Sequence, residues 1–127
     1  MADAVTTQIL HDGPRNAVIK FTNISDGTGE AAVAKVTPAT LSGAPARVTI
    51  DRVVAMTAGM GVDILWDATA DVLALHIPDL QNSDIDMTEF GGIPNNGGAG
   101  VTGNILFSTV GHAAGDRYTI ILHLKKN

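Results

Sequence analysis

Residues 97–103, GGAGVTG, contain Gly98-x-Gly100-x-x-Gly103, the spacing of a dinucleotide-binding turn. That chemistry needs a hydrophobic strand before the glycines and a helix whose N-terminus holds the pyrophosphate. It also needs an acidic residue about twenty positions on. Here an Asn-Gly loop precedes the glycines, NILFSTV follows with the alternation of a strand, and the region beyond is IILHLKK. The setting excludes a phosphate cradle. What remains is a glycine-rich loop, GGIPNNGGAG, long enough in a compact domain to serve recognition or to be ordered by a neighbour. Its candidate interface residues are Gly91, Gly92, Ile93, Pro94, Asn95, Asn96, Gly97, Gly98 and Gly100. On that reading, deleting Gly97–Gly100 weakens assembly more than folding.

The other reactive residue types are scattered. Ser108, His112 and Asp116 supply the three members of a hydrolytic triad. Neighbours this close on strands and hairpins do not reach relay geometry, and no nucleophile elbow is present. His11, His76, His112 and His123 have no helical or strand spacing to one another, so a metal site would have to assemble across strands. The aspartates of GVDILWDATADVLAL (Asp63, Asp67, Asp71) and the stretch DGTGE lack the calcium-loop pattern, and Asp at such places commonly bonds its own turn. Trp66, the single tryptophan, is either a core anchor or an exposed platform for a sugar or a partner, and it joins the interface candidates. With five aromatics in the chain, a lectin-like platform is weakly supplied. The expectation is a protein that is not an enzyme, with no catalytic, cofactor-binding or metal-ligating residue.

Composition narrows the partners. The 127 residues are 45% hydrophobic but only 4% aromatic, so the core must be aliphatic. Charged residues make up 17%, below the roughly 25% of an average domain, which leaves a comparatively apolar surface for other subunits to cover. No Lys or Arg occurs from 53 to 116, a span that carries eight acids; the eight bases and five acids outside it net +3. Such a separation suits head-to-tail contacts between copies or docking on a complementary surface. Nucleic acid is not an expected partner, because a basic face with aromatic stacking is missing. No stretch reaches the roughly 18 apolar residues of a membrane span, and MADAVTTQIL lacks the features of a signal peptide. Synthesis in the cytoplasm is the expectation. The absence of cysteine excludes disulfides and thiolate metal sites.

The elements that would carry these residues have a period of two. VTTQILHD, RNAVIKFTNI, EAAVAKV, ARVTIDRVVAMT, GVDILWDA, VLALHIP, NILFSTV and DRYTIILHLKK all alternate as strands. The fourth is long enough to bend or carry a bulge. DIDMTEF reads as a turn or a short edge strand. Gly-, Asp- and Thr-rich loops of hairpin size separate them. The expected fold is all-β: one antiparallel sandwich or barrel over residues 1–127, jelly-roll-like, of about eight strands. Residues 1–8 form a candidate flexible N-terminal arm.

Three stretches, AVIKFTNISDGTGEAAVAKV, GMGVDILWDAT and GNILFSTVGHAAGDRYTIILHLKK, together resemble small virion structural proteins of tailed bacteriophages of aquatic bacteria. The resemblance runs over most of the chain and carries no catalytic motif. It implies a capsid decoration, or cement, protein: all-β, commonly a homotrimer, sitting on the capsid surface of the virion and bound to the phage major capsid protein. The alternatives are a tail or fibre component, or an adhesion module for host glycan built on Trp66 and the acidic 63–71 hairpin.

Overall fold

A computed structural model describes residues 4–27, 29–45, 47–78, 82–111 and 113–126. Among these described residues nine strands run in chain order: β1 (Ala4–Asp12), β2 (Asn16–Ile24), β3 (Val33–Val36), β4 (Val48–Ala58), β5 (Gly61–Trp66), β6 (Val72–Ile77), β7 (Asn82–Asp86), β8 (Ile105–Val110) and β9 (Arg117–Lys126). Single 3₁₀ turns occupy Pro38–Thr40 and Thr88–Phe90. All strand pairs are antiparallel.

Two sheets form, ordered β1-β2-β9-β4-β7 and β3-β8-β5-β6. Taking β2 to β9 as eight consecutive strands, the first, eighth, third and sixth make one sheet. The second, seventh, fourth and fifth make the other. This is the two-sheet jelly roll, with β1 added on the outside of β2. The expected class is therefore the one adopted, and the ninth strand is the DIDMTEF region. Its polar, five-residue β7 pairs with β4, and a 3₁₀ turn follows.

Alternation sets the layers. In β2, Ala17, Ile19, Phe21 and Asn23 point inward; in β9, Tyr118, Ile120, Leu122 and Leu124 do. Val62, Ile64 and Trp66 of β5 face them from the other sheet with Ile105 and Phe107 of β8. Phe107 stands edge-on to Phe21 at 5.1 Å and to Tyr118 at 5.9 Å, so these three rings sit together inside a largely aliphatic core. The long β4 carries the expected bulge between Ile50 and Arg52, which lets it turn from pairing Lys126 to pairing Arg117 along the full length of β9.

Two sequence expectations change here. Residues 4–8 are not an arm: Ala4 to Gln8 pair with Ile24 to Lys20 as part of β1. Because the sheets have five and four strands, β1 overhangs the core, and Val5 and Ile9 stay exposed although they point the same way as the buried Ile19 and Asn23. Trp66 is wholly buried among the core residues, so it offers no platform on the surface.

Candidate functional site

The glycine-rich loop is a strap across one end of the sandwich. Near its start, Ile93 exchanges both backbone hydrogen bonds with Ile50 of β4 at 3.0 and 2.7 Å, and Gly92 N–H donates to the Met87 carbonyl. Further along, Thr69 N–H donates to the Ala99 carbonyl and Thr102 N–H to the Asp67 carbonyl. The Thr102 hydroxyl donates to Asp67 Oδ2 at 2.7 Å. The loop thus ties the five-stranded sheet to the β5–β6 hairpin of the four-stranded one. Gly92 has φ +87, and a Cβ there would meet the Ile50 carbonyl oxygen at 2.7 Å; Gly100 has φ +77 and lies against Thr69. Asn95 is buried with its Oδ1 accepting from Gly97 N–H. Of the candidate interface residues, Gly91, Pro94, Asn96, Gly98 and Gly100 face solvent, while Gly92 and Asn95 are buried and Ile93 and Gly97 half-buried.

The polar residues that could have done chemistry are committed elsewhere. Asp63 pairs across β5 and β6 with His76 Nδ1, and Asp71 Oδ1 accepts from Ala68 N–H. Ser108 Oγ accepts from Ala32 N–H, and Asp116 Oδ2 accepts from Ala113 N–H within its own turn. His112 lies outside the described residues. His11 and His123 are brought together around a depression of about 290 Å³, with Asn16 and Asp51 also on its wall. The two histidines are separated in register by Val18 of β2. Among the described residues, no group of three or more His, Asp or Glu converges as a metal centre would. A second depression, about 260 Å³, opens at the other end of the same face beside Met56, Arg117 and Thr119.

One buried polar cluster lies inside the fold. Glu30 and Lys35 form an ion pair with each side chain 6% exposed. Tyr118 Oη donates to Glu30 Oε1 at 2.6 Å and Asn23 Nδ2 donates to the same oxygen at 2.8 Å. Glu30 N–H donates to Thr109 Oγ1 at 2.8 Å. Four strands are therefore fastened through one residue: β2, β3 and β9 by the Glu30 carboxylate and β8 by its backbone N–H.

What the fold leaves open is the outer face of each sheet. On the four-stranded sheet, Leu73, Leu65, Leu106 and Ala34 lie in register as a row across β6, β5, β8 and β3, with Leu73 and Ala34 exposed at the two ends, Leu65 half-buried and Leu106 buried. Leu73 is 53% exposed at one end of it. The next row is His76, Asp63 and Ser108. Strands β5, β6 and β8 carry no Lys or Arg, and the one on β3, Lys35, is turned into the ion pair with Glu30. On the five-stranded sheet, Asp84, Val54, Ile121, Lys20 and Gln8 form one row and Met56, Thr119, Thr22 and Thr6 another. Ile24 and Met56 are 47% and 46% exposed there. Arg52 makes a bidentate bond to Asp84, which holds that carboxyl below the usual range; Asp86 is lowered by the hydroxyl and N–H of Thr88. The sequence signals for these faces were the outward members of each alternation, which motif reading passed over.

No family model matches the chain, and no curated protein matches it. Among solved structures, a cupin superfamily protein from Desulfitobacterium hafniense DCB-2 aligns over 99% of this chain and 80% of its own, at 9% identity and a TM-score of 0.36.

Proposed function

We propose that this chain is a structural virion protein, a capsid decoration (cement) protein of a tailed bacteriophage that assembles with its own copies and binds the head surface. The observation that carries the reading is the outer face of the four-stranded sheet. Its exposed Leu73 and Val110 and half-buried Leu65, on strands without Lys or Arg, are side chains of the kind that are buried against other protein rather than left in water. A jelly roll closed at one end by a hydrogen-bonded strap is also a rigid body for such a role. The sequence resemblance supplies the biological setting. Modest contacts repeated over many identical positions of a shell add up by avidity, so no deep pocket is required. The partners are other copies, as a homotrimer, and the major capsid protein; nucleic acid, membrane and cofactors have no part.

A tail or fibre position would use the same surfaces. The glycan-binding reading loses its main support, because Trp66 is buried and Asp63, Asp67 and Asp71 each already bond within the protein. The test is to mix the purified protein with heads of the encoding phage that lack it and to sediment the mixture. Saturable co-sedimentation supports decoration. A protein that stays in the supernatant, or that is retained instead on host polysaccharide, overturns it.

A further inference from the structure

The buried carboxylate of Glu30 bridges an amine and an amide. Lys35 Nζ rests on its Oε2, and Asn23 Nδ2 donates to its Oε1 at 2.8 Å, all three side chains lying in the interior. Strand β3 reaches this site through a bulge. Its register with β8 shifts between Ala34 and Val36, which leaves Lys35 as the extra residue and lets it turn inward although its neighbour Val36 is buried as well. Glu30 is pinned from several sides. Its N–H donates to Thr109 Oγ1, its carbonyl accepts from Thr109 N–H, and Tyr118 Oη donates to its carboxylate. Phe107 packs edge-on against that tyrosine. An ammonium has three donors, and among the described residues Glu30 is the one partner of Lys35. A charge this deep costs stability unless it is fully paired.

We propose that this cluster closes a covalent cross-link, an isopeptide bond between Lys35 Nζ and Asn23 Cγ. Glu30, in contact with both groups, is the catalytic residue. Its carboxylate takes a proton from the Lys35 ammonium, and the neutral amine attacks the amide carbon of Asn23. The Nζ–Cγ bond forms and the Cγ–Nδ2 bond breaks. Glu30 hands its proton to the departing nitrogen, which leaves as ammonia, and takes another from Nζ, which keeps one as the new amide N–H. Nothing is oxidised or reduced, and no co-reactant enters. Holding amine and amide on the two oxygens of one carboxylate is the arrangement from which intramolecular chemistry gains most. The dry interior keeps water from competing for the amide. The bond removes the buried ammonium and ties β2 of one sheet to β3 of the other, as a disulfide would, in a chain that has no cysteine. It does not depend on the proposed virion role.

The experiment weighs the purified full chain by intact-mass spectrometry and then maps it with trypsin. The cross-linked protein is lighter than its sequence by about 17 Da, the mass of ammonia. Trypsin fails to cut after Lys35, whose amine is blocked, so residues 21–47 come out as one fragment carrying the whole deficit. Fragmentation of that piece gives no breaks between 23 and 35, because the bond closes them into a ring. Glu30→Gln keeps the shape and removes the base; Lys35→Arg keeps the charge and removes the nucleophile. Each variant retains its full mass in that region. A full-mass chain cut normally at Lys35 overturns the proposal, and so does a deficit that maps elsewhere, such as an imide at Asn96–Gly97. Either variant still losing ammonia between 21 and 47 overturns it too. The readout is covalent and survives denaturation, so the unmodified chain decides the matter even where a variant folds poorly.

Discussion

Tyr118 Oη donates to Glu30 Oε1 at 2.6 Å across 88 positions of sequence, in a cluster where Glu30 also pairs with Lys35. A hydrogen bond to a charged, buried acceptor contributes about 1.5–3 kcal/mol. Tyr118→Phe should lose that much in urea unfolding. Glu30→Ala strands the Lys35 ammonium in the interior and should cost about 3–5 kcal/mol. A Tyr118→Phe loss within about 0.5 kcal/mol, the usual scatter of neutral surface changes, would contradict this role.

The strap separates its own glycines. Gly92→Ala forces a side chain into a left-handed backbone and against the Ile50 carbonyl, and should destabilise by about 1–3 kcal/mol. Gly98→Ala has open space around the new methyl and should change the melting temperature little. Deleting Gly97–Gly100 removes the Ala99 link to Thr69 and should lower the melting temperature markedly, whereas the sequence suggested a larger effect on assembly than on folding. Equal effects of Gly92→Ala and Gly98→Ala would refute the strap.

Trp66 is held by packing. Its Nε1 has no hydrogen-bond partner among the described residues, so Trp66→Phe gives up volume but none of the polar contacts described. Trp66→Ala should cost about 3–5 kcal/mol in chemical denaturation, and Trp66→Phe clearly less. A Trp66→Phe variant that folds normally but loses particle binding would return this residue to the surface.

Acid stability follows from the carboxyls. Lys126 Nζ contacts Asp12, the Gly13 carbonyl and the Ser42 carbonyl, and with Ser42 N–H it holds Asp12 below the usual carboxylate range. Arg52 does the same for Asp84. A carboxyl lowered in the folded state contributes stability that is fully present above its unfolded pKa, about 4, and is lost as pH falls through the folded value. The urea midpoint should hold steady near neutrality and drop below about pH 4. Lys126→Met should be less stable than the unmodified protein at pH 7, with the gap narrowing as the pH falls. A gap independent of pH would show that the ammonium acts only through the two carbonyls.

Alternation made eight of the nine strands legible, down to the bulge in β4. The ninth, NSDID, was ambiguous because a short polar edge strand buries little and so leaves no apolar stripe to read. The burial of Trp66 was half legible: it shares its face of β5 with Val62 and Ile64, both in the core. The base-free run from 53 to 116 was visible as charge, but not as a surface. It became one only because the jelly roll sets β5, β6 and β8, all drawn from that run, side by side. The glycine loop read as free because its partners, Ile50 and Thr69, are supplied by different sheets. Likewise nothing local linked His11 to His123.

The central claim, a decoration protein on a phage head, is tested most directly by a reconstruction of the encoding phage's particle. The account predicts jelly-roll density of this size on the outside of the capsid, with neighbouring copies in contact. Density confined to the tail or fibres, or a particle in which this protein is absent, would contradict it.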